Sequence, residues 1–245
     1  MLLLDCGGTL LRDGSPVPSA QDTAAPFASY RRLLEEHGLR PTPQEVLSAL
    51  LAAWEHAAPG GAHPHASASA DTYLAFYRAV HADFARRVGA TDPALAEAIA
   101  EALTAQEHDP AQWEPFPDVL ETLPPLAQHY LLVVVSNWNW ELPEVLAHCG
   151  LAPYLHAVVT SARVGYGKPH PAIFRYALAL AGAAPEEALM VGDWYDADVA
   201  GARRAGVRAV LLHRRGTPPE VDCPVIRSLA ELPALLKRGV PARGL

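Results

Sequence analysis

Apolar residues gather into short, almost unbroken runs at 2–4, 131–135, 157–160, 188–191 and 207–212. Runs that are apolar at successive positions, rather than at every second one, predict strands buried on both faces, as in a parallel sheet. Before the first of the last four runs and between them the pattern changes to helical spacing, over about 118–128, 140–148, 171–181 and 196–205. Strands alternating with helices predict an α/β fold, a doubly wound parallel sheet with helices on both faces. Ligands of such sheets bind outside the carboxyl ends of the strands. Asp5, Ser136, Thr160 and Asp193 stand at or just past those ends.

The stretch from about 20 to 110 follows a different grammar, helical and without a convincing strand. Phe27, Tyr30, Leu33 and Leu34 share a helical face that Gly38 is placed to stop. Thr42-Pro43-Gln44-Glu45 is a capping box with proline at the first helical position, and it opens a helix through Leu47, Leu50 and Trp54. A loop rich in Ala, His and Ser over 58–70 precedes a helix expected to be capped by Asp71. That helix carries Tyr73, Phe76, Tyr77, Val80 and Phe84 and closes near Gly89. Asp92-Pro93 starts another, with Leu95, Ile99 and Leu103 on one face. Residues 15–110 carry twelve acidic and six basic residues, net −6, against −2 for the remainder. The expected organisation is an α/β core of 1–14 and 111–245, interrupted by a helical cap at 15–110.

Composition narrows the function classes. The chain has 245 residues, half of them hydrophobic and 19% charged, enough for a sizeable core. Its net charge of −8 argues against a nucleic-acid or membrane-surface partner. No apolar run is long enough to span a bilayer, and Asp5 interrupts the start before a signal-peptide core forms. Three cysteines, Cys6, Cys149 and Cys223, make no disulfide framework and suit a reducing, cytoplasmic setting. Of nineteen basic residues only Lys168 and Lys237 are lysine, which singles out Lys168 in its Gly-Lys-Pro-His-Pro context.

Asp5 and Asp193 follow two different buried strands, and Asp196 and Asp198 lie close behind Asp193. Carboxylates at one sheet edge repel unless they share a cation, and a hard, oxygen-loving ion such as Mg²⁺ is the natural partner. Lys168 adds a fixed positive charge, while Ser136 and Asn137 offer a hydroxyl and amides to an anion. Each element alone is ordinary: an Asp after a strand as a cap, a Ser-Asn helix start, a solvated lysine. In this order, each at a strand end, they make a site for phosphoryl transfer through an aspartyl-phosphate.

The chain resembles the haloacid dehalogenase-like hydrolase superfamily over essentially its whole length. Asp5-Cys6-Gly7-Gly8-Thr9-Leu10 resembles the first motif, whose leading Asp is the nucleophile. Ser136 after its apolar run resembles the second, a hydroxyl that binds phosphate. Lys168-Pro169-His170-Pro171 resembles the third, and Val191-Gly192-Asp193 through Asp198, then Gly201 to Gly206, the fourth. The resemblance implies catalytic roles for Asp5, Lys168 and Asp198 and substrate binding by Thr9, Ser136 and Asn137. It also implies Mg²⁺ held by Asp5, the Gly7 carbonyl and Asp193, with Asp198 binding the metal or orienting Lys168. The order matches the branch with a helical cap between the first two motifs.

One departure matters. Phosphatases of this family carry a second Asp, the general acid and base, where this chain has Gly7; such a group is worth about 10²–10⁴ in rate. Dehalogenases lack it because a halide leaves without a proton, but they also lose the fourth-motif acids that this chain keeps. Phosphonoacetaldehyde hydrolases need a cap lysine, and 15–110 contains none. The expected activity is Mg²⁺-dependent hydrolysis of a small phosphorylated metabolite, with a 2-haloacid dehalogenase or a catalytically impaired binding protein as alternatives. Trp138, Trp140, Trp194 and Tyr195 flank the second and fourth motifs and either line the mouth or pack in the interior. His56, His63 and His65 read as exposed loop histidines, and Cys6 as a core residue.

Overall fold

The computed structural model describes residues 1–13 and 28–238. Phe27 and the start of the expected insert lie outside the described residues. The chain opens with β1 (Leu2–Leu4) and β2 (Leu11–Asp13), followed by α1 (Ala28–Glu36), α2 (Pro43–Ala57), α3 (Ala70–Arg87) and α4 (Pro93–His108). Next come β3 (Trp113–Pro115), α5 (Val119–Ala127), β4 (Leu132–Ser136), α6 (Leu142–His148), β5 (Ala157–Thr160), α7 (Ser161–Val164) and α8 (Pro171–Ala181). Then β6 (Leu189–Gly192) leads through a π-helical turn (Tyr195–Ala200) into α9 (Gly201–Arg204), β7 (Arg208–Leu212), β8 (Val225–Ile226) and α10 (Leu232–Arg238). Two compact units result, Met1–Arg12 with Pro115–Leu245, and Asp13–Glu114.

The first unit is built on a six-stranded parallel sheet in the order β5-β4-β1-β6-β7-β8, while β2 and β3 form a separate pair. β1 is central: Leu3 pairs with Val133 on one side and Met190 on the other. The strand order runs outward in both directions from β1, so the ends of β1, β4 and β6 border the crevice where such sheets bind ligands. On one face Leu3, Val133, Val135, Val159 and Met190 pack with Ile173, Phe174 and Ala177 of α8 and with Val199 and Ala202. The alternate positions Leu2, Leu4, Val134 and Val191 are buried as well. Burial on both faces is why these strands are apolar up to their carboxyl ends, where β4 closes on Ser136 and β5 on Thr160. Each Leu or Val so buried contributes about 1.5–3 kcal/mol relative to exposure.

The second unit packs α1 to α4 around Leu34, Val46, Ala53, Val80, Phe84 and Ile99. Its α2 starts as the sequence indicates: Thr42 and Glu45 cap each other and Pro43 takes the first turn. The buried stripe of α2 differs from expectation. It is Val46, Ala49 and Ala53, small residues that let α3 approach, and Leu47, Leu50 and Trp54 are half-buried. The cap of α3 is Ser69 rather than Asp71; Ser69, in extended conformation, exchanges hydrogen bonds with Thr72, and Asp71 falls inside the first turn. There its carboxylate faces the positive end of the helix dipole. His56 and His65 are exposed, but His63 is buried. Short 3₁₀ turns at Pro59–Gly61 and Ala66–Ala68 fold the loop so that the His63 ring stacks on Phe76, 5.5 Å between centroids. No helix of the described residues is long and apolar enough to cross a membrane.

Candidate active site

Asp5 leaves β1 with its backbone still held in the sheet, its N–H donating to the Val191 carbonyl at 2.9 Å. Its side chain turns to the carboxyl end of the sheet and is buried at 8% exposure. Lys168 Nζ donates to Asp5 Oδ1 at 2.5 Å and to Asp198 Oδ1 at 2.6 Å, and Ser136 Oγ donates to Asp5 Oδ1 at 3.1 Å. Asp5 Oδ2 accepts from no described residue. Residues as far apart as 163 positions along the chain therefore place one lysine between two carboxylates.

Burial works against the Lys168 charge, but the carboxylates of Asp198 and Asp5 outweigh it and hold the ammonium well above its ordinary pKa. Asp198 is raised, first by burial and also by the Asp5 charge, with Lys168 pulling the other way. The π-helical turn presents Asp198: its Oδ2 accepts from the Trp194 N–H at 3.0 Å, and its own N–H reaches the Trp194 carbonyl at 2.8 Å. A regular helix was expected there. The wider turn is a feature common at functional sites, and here it points Asp198 inward. Gly192 is required beside it, because any Cβ there would run into the Asp198 carboxylate.

Asp193 completes the cluster. Oxygens of Asp5, Asp193 and Asp198 lie within 4.8 Å of one another. The outer side of Asp193 is open, but its carboxylate is turned inward, and loss of water together with the Asp5 and Asp198 charges drives it well above the usual carboxylate range. Three hard oxygen donors that repel one another fit a divalent cation of the Mg²⁺ type. Asp196 is exposed and outside the cluster.

The remaining expected residues take varied places. Both ends of the Asn137 amide are spent on the backbone of Lys168: Oδ1 accepts from its N–H at 2.6 Å and Nδ2 donates to its carbonyl at 2.8 Å. Asn137 thus positions Lys168. Thr9 is fully buried, with no described partner for its hydroxyl, and its carbonyl accepts from Arg214 Nη2 at 2.7 Å. Arg214 also donates to Asp118 Oδ2 at 2.9 Å and lies 3.9 Å over the Phe116 ring. This brace on the loop after Asp5 is invisible in a sequence whose basic residues are nearly all arginine. Gly7 has no left-handed backbone, and a Cβ on it would meet the Trp138 ring at 3.4 Å. Of the other aromatics, Trp194 is exposed, Trp140 lies under Arg163, and Tyr195 donates to Asp222 at 2.6 Å. Cys6 is buried, which raises its thiol well above the ordinary range.

The carboxyl edge of a doubly wound sheet thus gathers an acidic residue, a hydroxyl, a lysine and two further acidic groups. The sequence profile of haloacid dehalogenase-like hydrolases matches residues 1–206, and the chain belongs to that family. Haloacid dehalogenase-like hydrolase domain-containing protein 3 of Danio rerio is 32% identical over 85% of this chain and 88% of its own length. Phosphoserine phosphatase of Thermus thermophilus is 54% identical over 77 residues, 31% of this chain and 30% of that protein. The solved 2-haloacid dehalogenase of Pseudomonas syringae pv. Tomato DC3000 superposes with a TM-score of 0.60 at 25% identity, covering 97% of each chain.

Proposed function

We propose that this hydrolase cleaves small phosphate monoesters with the help of Mg²⁺, through a phosphorylated Asp5. The observation that carries the reading is the Asp5–Lys168–Asp198 cluster with Asp193 beside it. In it Asp5 Oδ1 is engaged by Lys168 and Ser136, so Oδ2 is the oxygen free to reach phosphorus. Mg²⁺ held by Asp5, Asp193 and the Gly7 carbonyl would offset the carboxylate charge and polarise the phosphoryl oxygens. Lys168, kept protonated and pinned by Asp198, stays beside the nucleophile as charge builds on the phosphoryl group. Ser136 and the backbone amides near Asn137 and Thr9 would hold the other phosphoryl oxygens. The helical unit Asp13–Glu114, inserted between the strands that end at Asp5 and Ser136, would act as a cap that selects the substrate. The three cysteines, none in a disulfide, and the acidic balance suit a cytoplasmic enzyme acting on phosphorylated metabolites.

Retention of Asp193 and Asp198 beside Lys168 favours phosphate over halide chemistry, despite the dehalogenase likeness of the fold. Phosphate release from a panel of phosphorylated metabolites, with Mg²⁺ and with a chelator, tests the proposal, and Asp5→Asn serves as control. Metal-dependent release that Asp5→Asn abolishes is expected. Chloride release from 2-chloropropionate without metal would replace this reading with a dehalogenase.

A further inference from the structure

Three N–H groups of the loop after Asp5 converge on one acceptor. Those of Thr9, Leu10 and Leu11 reach the Cys6 carbonyl at 3.2, 2.8 and 2.9 Å, and the Gly8 N–H reaches the Leu11 carbonyl at 2.8 Å. The turn is thus tied to itself from within, while its Thr9 and Leu10 carbonyls take partners from outside it. The Phe116 N–H donates to the Leu10 carbonyl at 3.0 Å, and Arg214 Nη2 donates to the Thr9 carbonyl at 2.7 Å.

Arg214 is itself built in. Its guanidinium lies 3.9 Å over the Phe116 ring, and Nη1 donates to Asp118 Oδ2 at 2.9 Å, with the two side chains 14% and 16% exposed. The same Asp118 oxygen accepts from Ser228 Oγ at 2.6 Å and from the Leu229 N–H at 2.8 Å. Next to Arg214, the His213 N–H donates to the Ile226 carbonyl of β8 at 2.8 Å. One planar fork therefore joins the nucleophile loop to the segment before α5 and, through Asp118, to the turn that precedes α10. Charge-assisted bonds from such a fork are stronger and more directional than those between neutral groups.

The gripped carbonyl is close to the acidic cluster along the chain. Gly7, whose carbonyl is assigned to Mg²⁺ above, lies two residues before Thr9. Gly8, between them, sits so near Asp193 that a Cβ on it would overlap that carboxylate. A displacement of the Thr9 carbonyl is therefore passed to both. Resting on the phosphomonoesterase reading, we propose that Arg214 is a positioning residue for the reaction, its fork fixing the Thr9 carbonyl and so holding the Gly7 carbonyl in register with Asp193. Arg214 acts on the loop and touches neither the acidic cluster nor Asp5. The role is one of geometry: a lysine would keep the charge but could not bridge Thr9 and Asp118 with a rigid fork.

The test combines calorimetric titration with Mg²⁺ and steady-state kinetics on a phosphate monoester at saturating Mg²⁺, with a melting curve for each protein. The proteins are wild type, Arg214→Met, Arg214→Lys and Val210→Ala. The last opens a cavity at a fully buried position of β7 and lowers stability without removing a hydrogen bond. Arg214→Met should weaken Mg²⁺ binding and lower kcat, each by about 10- to 100-fold, the range seen when a group that orients metal ligands is lost, with KM little changed. Arg214→Lys should recover only part of both. Val210→Ala should melt earlier yet keep the wild-type Mg²⁺ affinity and kcat. Wild-type Mg²⁺ affinity and kcat in a folded Arg214→Met protein would overturn the proposal. Equal losses in Val210→Ala would reduce Arg214 to a stabilising element, and full recovery in Arg214→Lys would overturn the role of the fork. Absence of phosphate release from every ester by wild type would instead sink the phosphomonoesterase reading, while the Mg²⁺ titration would still test Arg214.

Discussion

Asp193 Oδ2 occupies the place that a Cβ on Gly8 would take, and Gly8 also has a left-handed φ of +79°. Two independent constraints therefore fall on residue 8, while its neighbour Gly7 bears neither. Gly8→Ala should push Asp193 out of the acidic cluster and strain the loop, lowering activity about 100-fold through misplacement and weakening Mg²⁺ binding. Gly7→Ala should keep the wild-type melting temperature. Calorimetric titration with Mg²⁺ and thermal melts of both variants check the contrast; wild-type Mg²⁺ affinity in Gly8→Ala would refute it.

Mg²⁺ should stabilise the wild-type protein against unfolding, because three crowded carboxylates gain a common counter-charge. At one hundred times the dissociation constant the gain is about 2.7 kcal/mol by mass action. Asp193→Asn should erase most of it. Melting temperature against Mg²⁺ concentration for the two proteins reads the difference directly, and a parallel response of both would exclude Asp193 as a ligand.

Lys168→Met should be costly out of proportion to its size. The side chain is 3% exposed and stands between carboxylates that are 8% and 1% exposed, so the variant leaves two buried charges uncompensated. Breaking a buried pair in this way costs about 3–5 kcal/mol. Urea denaturation in the presence of a chelator measures it, and Mg²⁺ should restore part of the loss. Stability within experimental error of wild type would show that Lys168 is not held as described.

Asp118 provides a pH signature away from the acidic cluster. Burial works to raise its carboxyl, but hydrogen bonds from Arg214 and Ser228 and the Arg214 charge outweigh that and hold it below its ordinary range. A carboxylate with a depressed folded pKa stabilises fully above its unfolded value, about 4, and loses that contribution as pH falls through the folded value. Asp118→Asn should therefore be less stable than wild type at neutral pH, by about 1–3 kcal/mol. The gap should narrow below about pH 4. Denaturant midpoints at pH 7 and pH 3 test the sign: a constant gap would assign the loss to hydrogen-bond shape alone.

Much of the core was legible because its rules are local. Apolar runs at 131–135 and 188–191 mark strands buried on both faces, and Thr42 with Glu45, or Asp92 before Pro93, mark helix starts through contacts a few residues apart. The strand ends then order Asp5, Ser136 and Asp193 along one sheet edge, given only that parallel strands share a direction. Local rules fail where a partner lies far along the chain. His63 reads as an exposed loop residue until Phe76 and Tyr73 are folded against it. The turn at Tyr195–Ala200 reads as a regular helix until Asp198 must reach Lys168.

The sequence by itself therefore determined the alternation of strands and helices, the break in grammar near 110, and the four chemical groups carried to the sheet edge. Tertiary structure alone decided that Asn137 spends its amide on Lys168, that Arg214 reaches 205 residues back to brace Thr9, and that Trp138 lies on Gly7. The physical reason is that propensity and periodicity are properties of a segment, read within a turn or two. A side chain's partner depends on sheet register and on loops brought together from the ends of different strands, which no segment specifies alone.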